Sequence, residues 1–145
     1  MPSSLRMSRE EREAFLADVH IGVLAISNPA GAPVVTPIWY HYEPGGDVHI
    51  VIGKDGMKGR ALVNGQRVSL CVQTETPPYK YVTVEGPILR GPVDFQRDLK
   101  DVAIRYLGER MGTAYVAGSN EKTDDNVLIR LTPDTWRTVD YGKRG

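Results

Sequence analysis

Residues 34–53, VVTPIWYHYEPGGDVHIVIG, read as two strands folded back on each other across a tight turn. Val34 to Tyr42 is rich in β-branched and aromatic residues, which suit a pleated, half-buried surface. Pro44-Gly45-Gly46-Asp47 closes a hairpin into Val48-His49-Ile50-Val51-Ile52, where Val48, Ile50 and Ile52 share one face. Pro37 interrupts the first strand. It has no amide hydrogen for a ladder, so it belongs at a sheet edge or a bulge.

The flanking sequence repeats the pattern. Ile21-Gly22-Val23-Leu24-Ala25-Ile26 is an apolar run ended by the turn Asn28-Pro29-Ala30-Gly31, as expected of a buried strand. Val68, Leu70 and Val72 alternate with Ser69, Cys71 and Gln73, and after Pro77-Pro78 another strand runs from Tyr79 to Leu89. Val127 to Leu131 and Trp136 to Tyr141 are the last two, joined by Thr132-Pro133-Asp134. Helices are few. Ser8 with Glu11 forms a capping box ahead of a stripe of Phe15, Leu16 and Val19. A second helix starts near Asp94, with Phe95, Leu99, Val102, Ala103 and Tyr106 at helical spacing and Gly108 as its stop. Residues Gly53 to Asn64 read as a loop and a short helix. The expected fold is mainly β: six to seven mostly antiparallel strands with two to three short helices, the sheet closing on itself as a small β-barrel to protect its edges.

The 145 residues fit one domain over 1–145, with an N-terminal helical segment at 1–19 and a tail at 142–145. Eighteen basic and eighteen acidic side chains cancel, which argues against a broad nucleic-acid-binding face. No apolar run approaches the roughly 20 residues of a membrane span, and the polar N-terminus does not read as a secretory signal. Cys71 stands alone, which excludes an internal disulfide framework and a zinc ribbon. The expected location is the cytoplasm, with neither nucleic acid nor membrane as partner.

Four groups of residues carry chemistry. Thr36, Pro37, Ile38 and Trp39 place an edge strand beside an aromatic ring, which suits the rim of a flat heteroaromatic ligand. Lys54-Asp55-Gly56-Met57-Lys58-Gly59-Arg60 puts three cations among glycines directly after a strand, a plausible phosphate cradle. This strand is expected to pair with the Trp39 strand, so that one hairpin holds both phosphate and ring. Tyr79 and Tyr81 lie on one face of their strand and suit the covering of a ring system. Trp136 to Tyr141, followed by Lys143 and Arg144, is an aromatic strand with a basic tail, and Trp136 reads as packing.

Other features are discounted. His20, His41 and His49 lack helical metal spacing, and although His41 and His49 face each other across a hairpin, no third ligand is evident; no metal is expected. Cys71 reads as buried filler. Glu121, Asp124 and Asp125 read as a solvated loop, and no dinucleotide fingerprint follows a strand.

In their order, these pieces resemble the pyridoxamine 5′-phosphate oxidase-like family of split β-barrel flavoproteins, and within it the flavin/deazaflavin oxidoreductase B branch. The resembling stretches are His20 to Ala25, Pro37 to Tyr40, Lys58-Gly59-Arg60, Arg67 to Leu70, Tyr81 to Gly86 and Trp136 to Lys143. The resemblance implies a split barrel and a homodimer with two cofactor sites at its interface. It implies that Lys58 and Arg60 hold the cofactor phosphate, with Gly53, Lys54 and Met57 nearby. It places the tricyclic ring along Thr36, Pro37, Ile38 and Trp39, and brings Tyr79 and Tyr81 from the second subunit. Ala61 departs from the asparagine that often follows the arginine in this family, and the C-terminal substrate-phosphate arginine motif of the vitamin-forming oxidases is absent.

The implied activity is hydride transfer from F420, the favoured cofactor, or from FMN to an unsaturated small organic substrate. A bound flavin carries that chemistry itself, so no acid/base pair is obligatory; solvent, Tyr79 or Tyr81 would supply a proton. Lys54, Lys80, Lys143 or Arg144 would meet the acidic tail of F420. Two alternatives use the same residues: a non-catalytic carrier of F420, FMN or a tetrapyrrole, and an interaction module whose aromatic strands form the dimer contact.

Overall fold

A computed structural model describes residues 5–118 and 125–144; Glu121 and Asp124 lie outside them. Eight strands appear in one curled sheet: β1 (Gly22–Ile26), β2 (Val34–Ile38), β3 (His41–Tyr42), β4 (Val48–Gly53), β5 (Arg67–Gln73), β6 (Lys80–Gly91), β7 (Asn126–Leu131) and β8 (Thr135–Asp140). Their order is β2-β1-β5-β6-β7-β4-β3, with β8 also on β6, and every pairing is antiparallel.

The split in the barrel follows from β6. Its twelve residues span both halves: 80–85 pair with β8 on one edge and 88–91 with β7 on that same edge, while β5 runs along the other edge. Gly86 makes the changeover possible, because a Cβ there would collide with the Thr132 carbonyl. The β7–β8 turn is stitched to this point by Thr132 N–H to Pro87 O (3.1 Å) and Asp134 N–H to Glu85 O (2.9 Å). Leu24, Ile26, Ile50, Leu70, Val84, Ile129 and Leu131 fill the interior, each at most 1% exposed.

The hairpin expected over 34–52 is corrected. Its first strand is two strands, β2 and β3, so β4 pairs with β3 and β7 and not with the strand leading to Trp39. Residues 39–40 carry the chain between the sheet halves. Tyr40 plugs the core with its hydroxyl donating to Leu16 O (2.6 Å), and its amide donates to the Tyr106 hydroxyl rather than to a ladder. Pro37 sits on the edge strand β2, where its missing amide costs little.

The helices are α1 (Arg9–Ala17), α2 (Met57–Ala61), α3 (Asp101–Leu107) and α4 (Glu109–Ala117), with a π-helical segment, Phe95–Lys100, leading into α3. Both halves of the Ser8/Glu11 capping box form, and Gly108 ends α3 at φ 87°. Three readings are corrected. The helical part of 1–19 is only Arg9–Ala17, leaving Val19 outside it and 52% exposed. The tail begins with a 3₁₀ turn, Tyr141–Lys143, in which Lys143 Nζ reaches Glu11 Oε1 at 2.8 Å. Cys71 is half-buried on the outer face of β5, not filler within the core. Among the described residues no helix is long and apolar enough to cross a membrane.

Candidate functional site

The cationic bend begins where β4 leaves the sheet. Gly53 closes the β4–β7 ladder opposite Asn126, and Lys54 N–H donates to Asp125 O at 2.9 Å. Helix α2 then folds back against the strand end. Gly59 is the buried point of approach: a Cβ there would lie 2.6 Å from the Lys54 carbonyl oxygen and collide with that of Gly53. Side chains at 59 are therefore excluded by backbone.

Two cations on α2 are separated by two positions, so they leave the helix on nearly opposite sides. Lys58 Nζ reaches across to Thr36 Oγ1 on β2, at 3.3 Å. Arg60 instead donates through Nε to the Asp55 carbonyl at 2.8 Å and borders a shallow hollow with Met57 and Ala61. Among the described residues no carboxylate forms an ion pair with Lys54, Lys58 or Arg60. With Asp55 counted, residues 54–60 still carry three cations against one carboxylate, which suits an anion.

The bend is anchored by Arg90. Its Nη1 donates to the carbonyls of Gly59 and Leu62 (2.6 Å to the latter), while its own amide donates to Asn64 Oδ1 at 2.7 Å. A guanidinium is well suited to satisfying the orphan carbonyls at a helix C-terminus. Nothing local in the sequence marks Arg90 for this, since the residues it holds lie about thirty positions away.

Trp39 is fixed by rings. Tyr106 stacks on it at 5.1 Å with 4° between planes, and Tyr115 tilts against it at 5.5 Å and 51°. The Tyr106 hydroxyl donates to His20 O (2.6 Å) while accepting from the Tyr40 amide (3.1 Å), and burial pushes its pKa up. Tyr106 thereby locks the corner at which β2 ends.

The structure brings Thr36, Pro37, Ile38 and Trp39 to one edge, with Lys58 against it. It does not bring Tyr79 and Tyr81 there within one chain. Tyr81 lies on β6, three strands from β2, or about 14 Å at ordinary strand spacing. Tyr79 is 51% exposed. Of the cations considered for an acidic tail, Lys143 is engaged by Glu11 and Lys80 stands beside Asp140, whereas Lys54 is exposed at the bend.

The bend and edge fit a phosphate-bearing, ring-containing cofactor on two counts. The cations suit the anion, and among the described residues no strand pairs with the outer edge of β2, leaving backbone groups for a ring's rim.

No curated protein matches this chain in sequence. Among solved structures it is similar to a conserved hypothetical protein, Rv2991, from Mycobacterium tuberculosis, with TM-score 0.80 at 22% identity over 100% of this chain and 92% of that one. It is similar to an FAD and heme binding protein from Mycobacterium smegmatis, with TM-score 0.69, 20% identity, and coverage of 92% and 71%. An F420 reductase shares the fold at TM-score 0.58 and 20% identity, covering 86% of this chain and 94% of that one. The family model described as pyridoxamine 5′-phosphate oxidase matches residues 8–140. With the split sheet and nearly the whole described chain inside that match, the protein belongs to the pyridoxamine 5′-phosphate oxidase family.

Proposed function

We propose that two copies of this chain bind a flavin-type cofactor between them, F420 in preference to FMN, and transfer hydride to an unsaturated small organic molecule. The observation that carries the reading is the meeting of Lys58 with Thr36. A cation from α2 stands at the edge of β2, so an anion and an adjoining planar ring fit side by side along one strand.

A homodimer is supported by the outer face of the sheet. Pro37, Val23, Cys71 and Thr83 form one register row across β2, β1, β5 and β6, with Val35 at 61% and Ile21 at 52% exposure alongside. An apolar sheet face of this kind suits a partner surface. Tyr81 shares it, so a second copy would bring Tyr79 and Tyr81 to the edge that one chain leaves without them.

Each residue then has a task. Lys58 Nζ holds the phosphate, and Thr36 Oγ1 fixes that amine. Lys54 meets further negative charge at the mouth. The free backbone edge of β2 orients the ring's rim, and Trp39, immobilised by Tyr106, bounds it and excludes water. Tyr81 Oη of the second copy holds a proton near the substrate. The bound flavin or deazaflavin supplies the hydride chemistry.

Titration of purified protein with FMN and with F420, followed by fluorescence quenching, tests the reading. Lys58→Ala should weaken binding at least about tenfold, as expected for loss of a charged hydrogen bond of about 1.5–3 kcal/mol. Unchanged affinity in Lys58→Ala and in the Lys58→Ala/Arg60→Ala double variant would remove the phosphate assignment.

Similarity to an FAD and heme binding protein favours one second reading, a carrier without turnover. Reduced cofactor incubated with quinones, enones and biliverdin separates the two. Oxidation no faster than without protein selects the carrier.

A further inference from the structure

A second space adjoins Trp39 and Ile38. The outer face of β4 and β7 and the helical segment from Phe95 to Ala117 enclose a cavity of about 360 Å³. Val51 and Leu128, register partners, form its floor, and Leu99 and Val102 face them from the helices. Trp39 and Tyr115, in contact at 5.5 Å and tilted at 51°, make an aromatic wall at one side. Among the described residues no lysine or arginine lines it, so they offer a phosphate-bearing group no counter-charge here. The volume lies at the lower end of small-molecule sites, which run from about 300 to 1,000 Å³, and suits one or two fused rings.

The polar groups of this cavity are arranged around one imidazole. Asp98 is 3% exposed and carried on the π-helical segment, a distortion often found at functional sites. It accepts from Arg97 Nε (2.7 Å), Arg97 Nη2 (2.9 Å) and the Asp94 amide (2.8 Å). Burial opposes its charge, but the Arg97 and Asp94 hydrogen bonds prevail and hold its pKa below the ordinary value, so it is a carboxylate at neutral pH. Facing it, His49 Nδ1 stands 3.9 Å from Asp98 Oδ1, beyond hydrogen-bond range, and is sealed from solvent with no partner. Burial depresses the His49 pKa despite the attraction of Asp98, so the ring is mainly neutral and has one donor and one acceptor nitrogen. Bonds of this kind tighten when a ligand arrives.

We propose that this cavity binds an uncharged aromatic molecule bearing a hydroxyl, its ring packed between the Trp39–Tyr115 wall and the Val51–Leu128 floor and its hydroxyl donating to His49 Nε2. Asp98 is the positioning residue: a shift of under 1 Å lets it accept from Nδ1–H, which fixes the tautomer that leaves Nε2 as acceptor. The carboxylate already has its positive partner in Arg97, so the site offers nothing to an anion. Ile38 and Trp39, which bound the ring in the cofactor reading, also line this cavity, so the two sites adjoin; the cations Lys54, Lys58 and Arg60 do not line it, and the tests below keep the two readings apart.

The test uses the purified chain and 2-naphthol as probe, with 2-methoxynaphthalene as the analogue lacking the donor. Calorimetric titration should show one saturable site for 2-naphthol. The methyl ether should bind at least about tenfold more weakly, and His49→Phe should lose a similar factor for 2-naphthol. In wild type, 2-naphthol should move the imidazole ¹⁵N resonances of His49 toward a single tautomer, and Asp98→Asn should abolish that signature. Lys58→Ala should bind 2-naphthol as wild type does, while His49→Phe should bind FMN as wild type does, so that failure here and failure of the cofactor reading stay distinct. Absence of saturable binding, or equal affinity for naphthol and its methyl ether in wild type, would overturn the proposal even if His49→Phe does not fold.

Discussion

The two ends of β4, a strand of six residues, present opposite electrostatics. At its start, His49 faces a cavity in which the buried carboxylate is neutralised by its own arginine. At its end, Gly53 opens into a bend whose three cations form no ion pair among the described residues. The same strand pairs with β7 along both, so the sheet does not make the difference. What covers each end does. A helical layer packs over one, and a five-residue helix held by Arg90 leaves the other exposed. Charge left unpaired at an exposed edge suits an anion, while charge cancelled inside an apolar wall selects against one.

The comparison breaks most severely at Gly59. Replacement by alanine forces a methyl group into backbone, which costs about 1–3 kcal/mol and sits at the upper end because backbone cannot step aside. Flavin binding should be lost and the melting temperature should fall, as read by calorimetry. Arg90→Met comes next. It strips two carbonyls of their donor, so stability should drop by about 1–3 kcal/mol in denaturant titration. FMN affinity should weaken several-fold while 2-naphthol binding stays unchanged. If Arg90→Met weakened naphthol binding equally, the two ends of β4 would not be independent.

The smallest effect concerns acid. Glu11 is held at about 2 by Lys143 and the Ser8 amide, and Asp134 at about 2 by Arg67 and Thr135. Both folded values lie below the ordinary carboxylate range of about 4, so their stabilisation is complete above that range and is lost as pH falls toward 2. Both groups are exposed, so the contribution is modest and salt-sensitive. Thermal melts at pH 5 and pH 2.5 should show a shallower acid loss in the Glu11→Gln/Asp134→Asn double variant than in wild type. An identical loss in both would assign acid sensitivity elsewhere.

What was legible in the sequence was local. Ser8 with Glu11, Gly108 as a helix stop, Pro37 at an edge and the cations of 54–60 each depend on neighbours within a few positions. The division of 34–42 into β2 and β3 was hidden because Trp39 and Tyr40 have strand-like composition; Tyr106, 66 residues beyond Tyr40, takes the amide that a strand would have used. Helix α4 escaped notice because Gly112 interrupts a weak stripe. That glycine is required by packing, since a Cβ there would lie 2.6 Å from the Ile104 backbone. The site divides the same way. Lys58 and Thr36 stood out singly, but their meeting depends on the whole barrel closing. Arg90 and Asp98 carried no local signal, because each acts on a strand or loop distant in sequence.

The central claim is that Lys58 holds the anionic end of a planar redox cofactor at the edge of β2. A crystal structure of the protein grown with FMN or F420 tests it most directly. The phosphate should lie within hydrogen-bond distance of Lys58 Nζ, with the ring along Thr36 to Trp39 and tyrosines 79 and 81 of a second copy against it. A cofactor bound elsewhere, with Lys58 still on Thr36 and facing only solvent, would contradict the account.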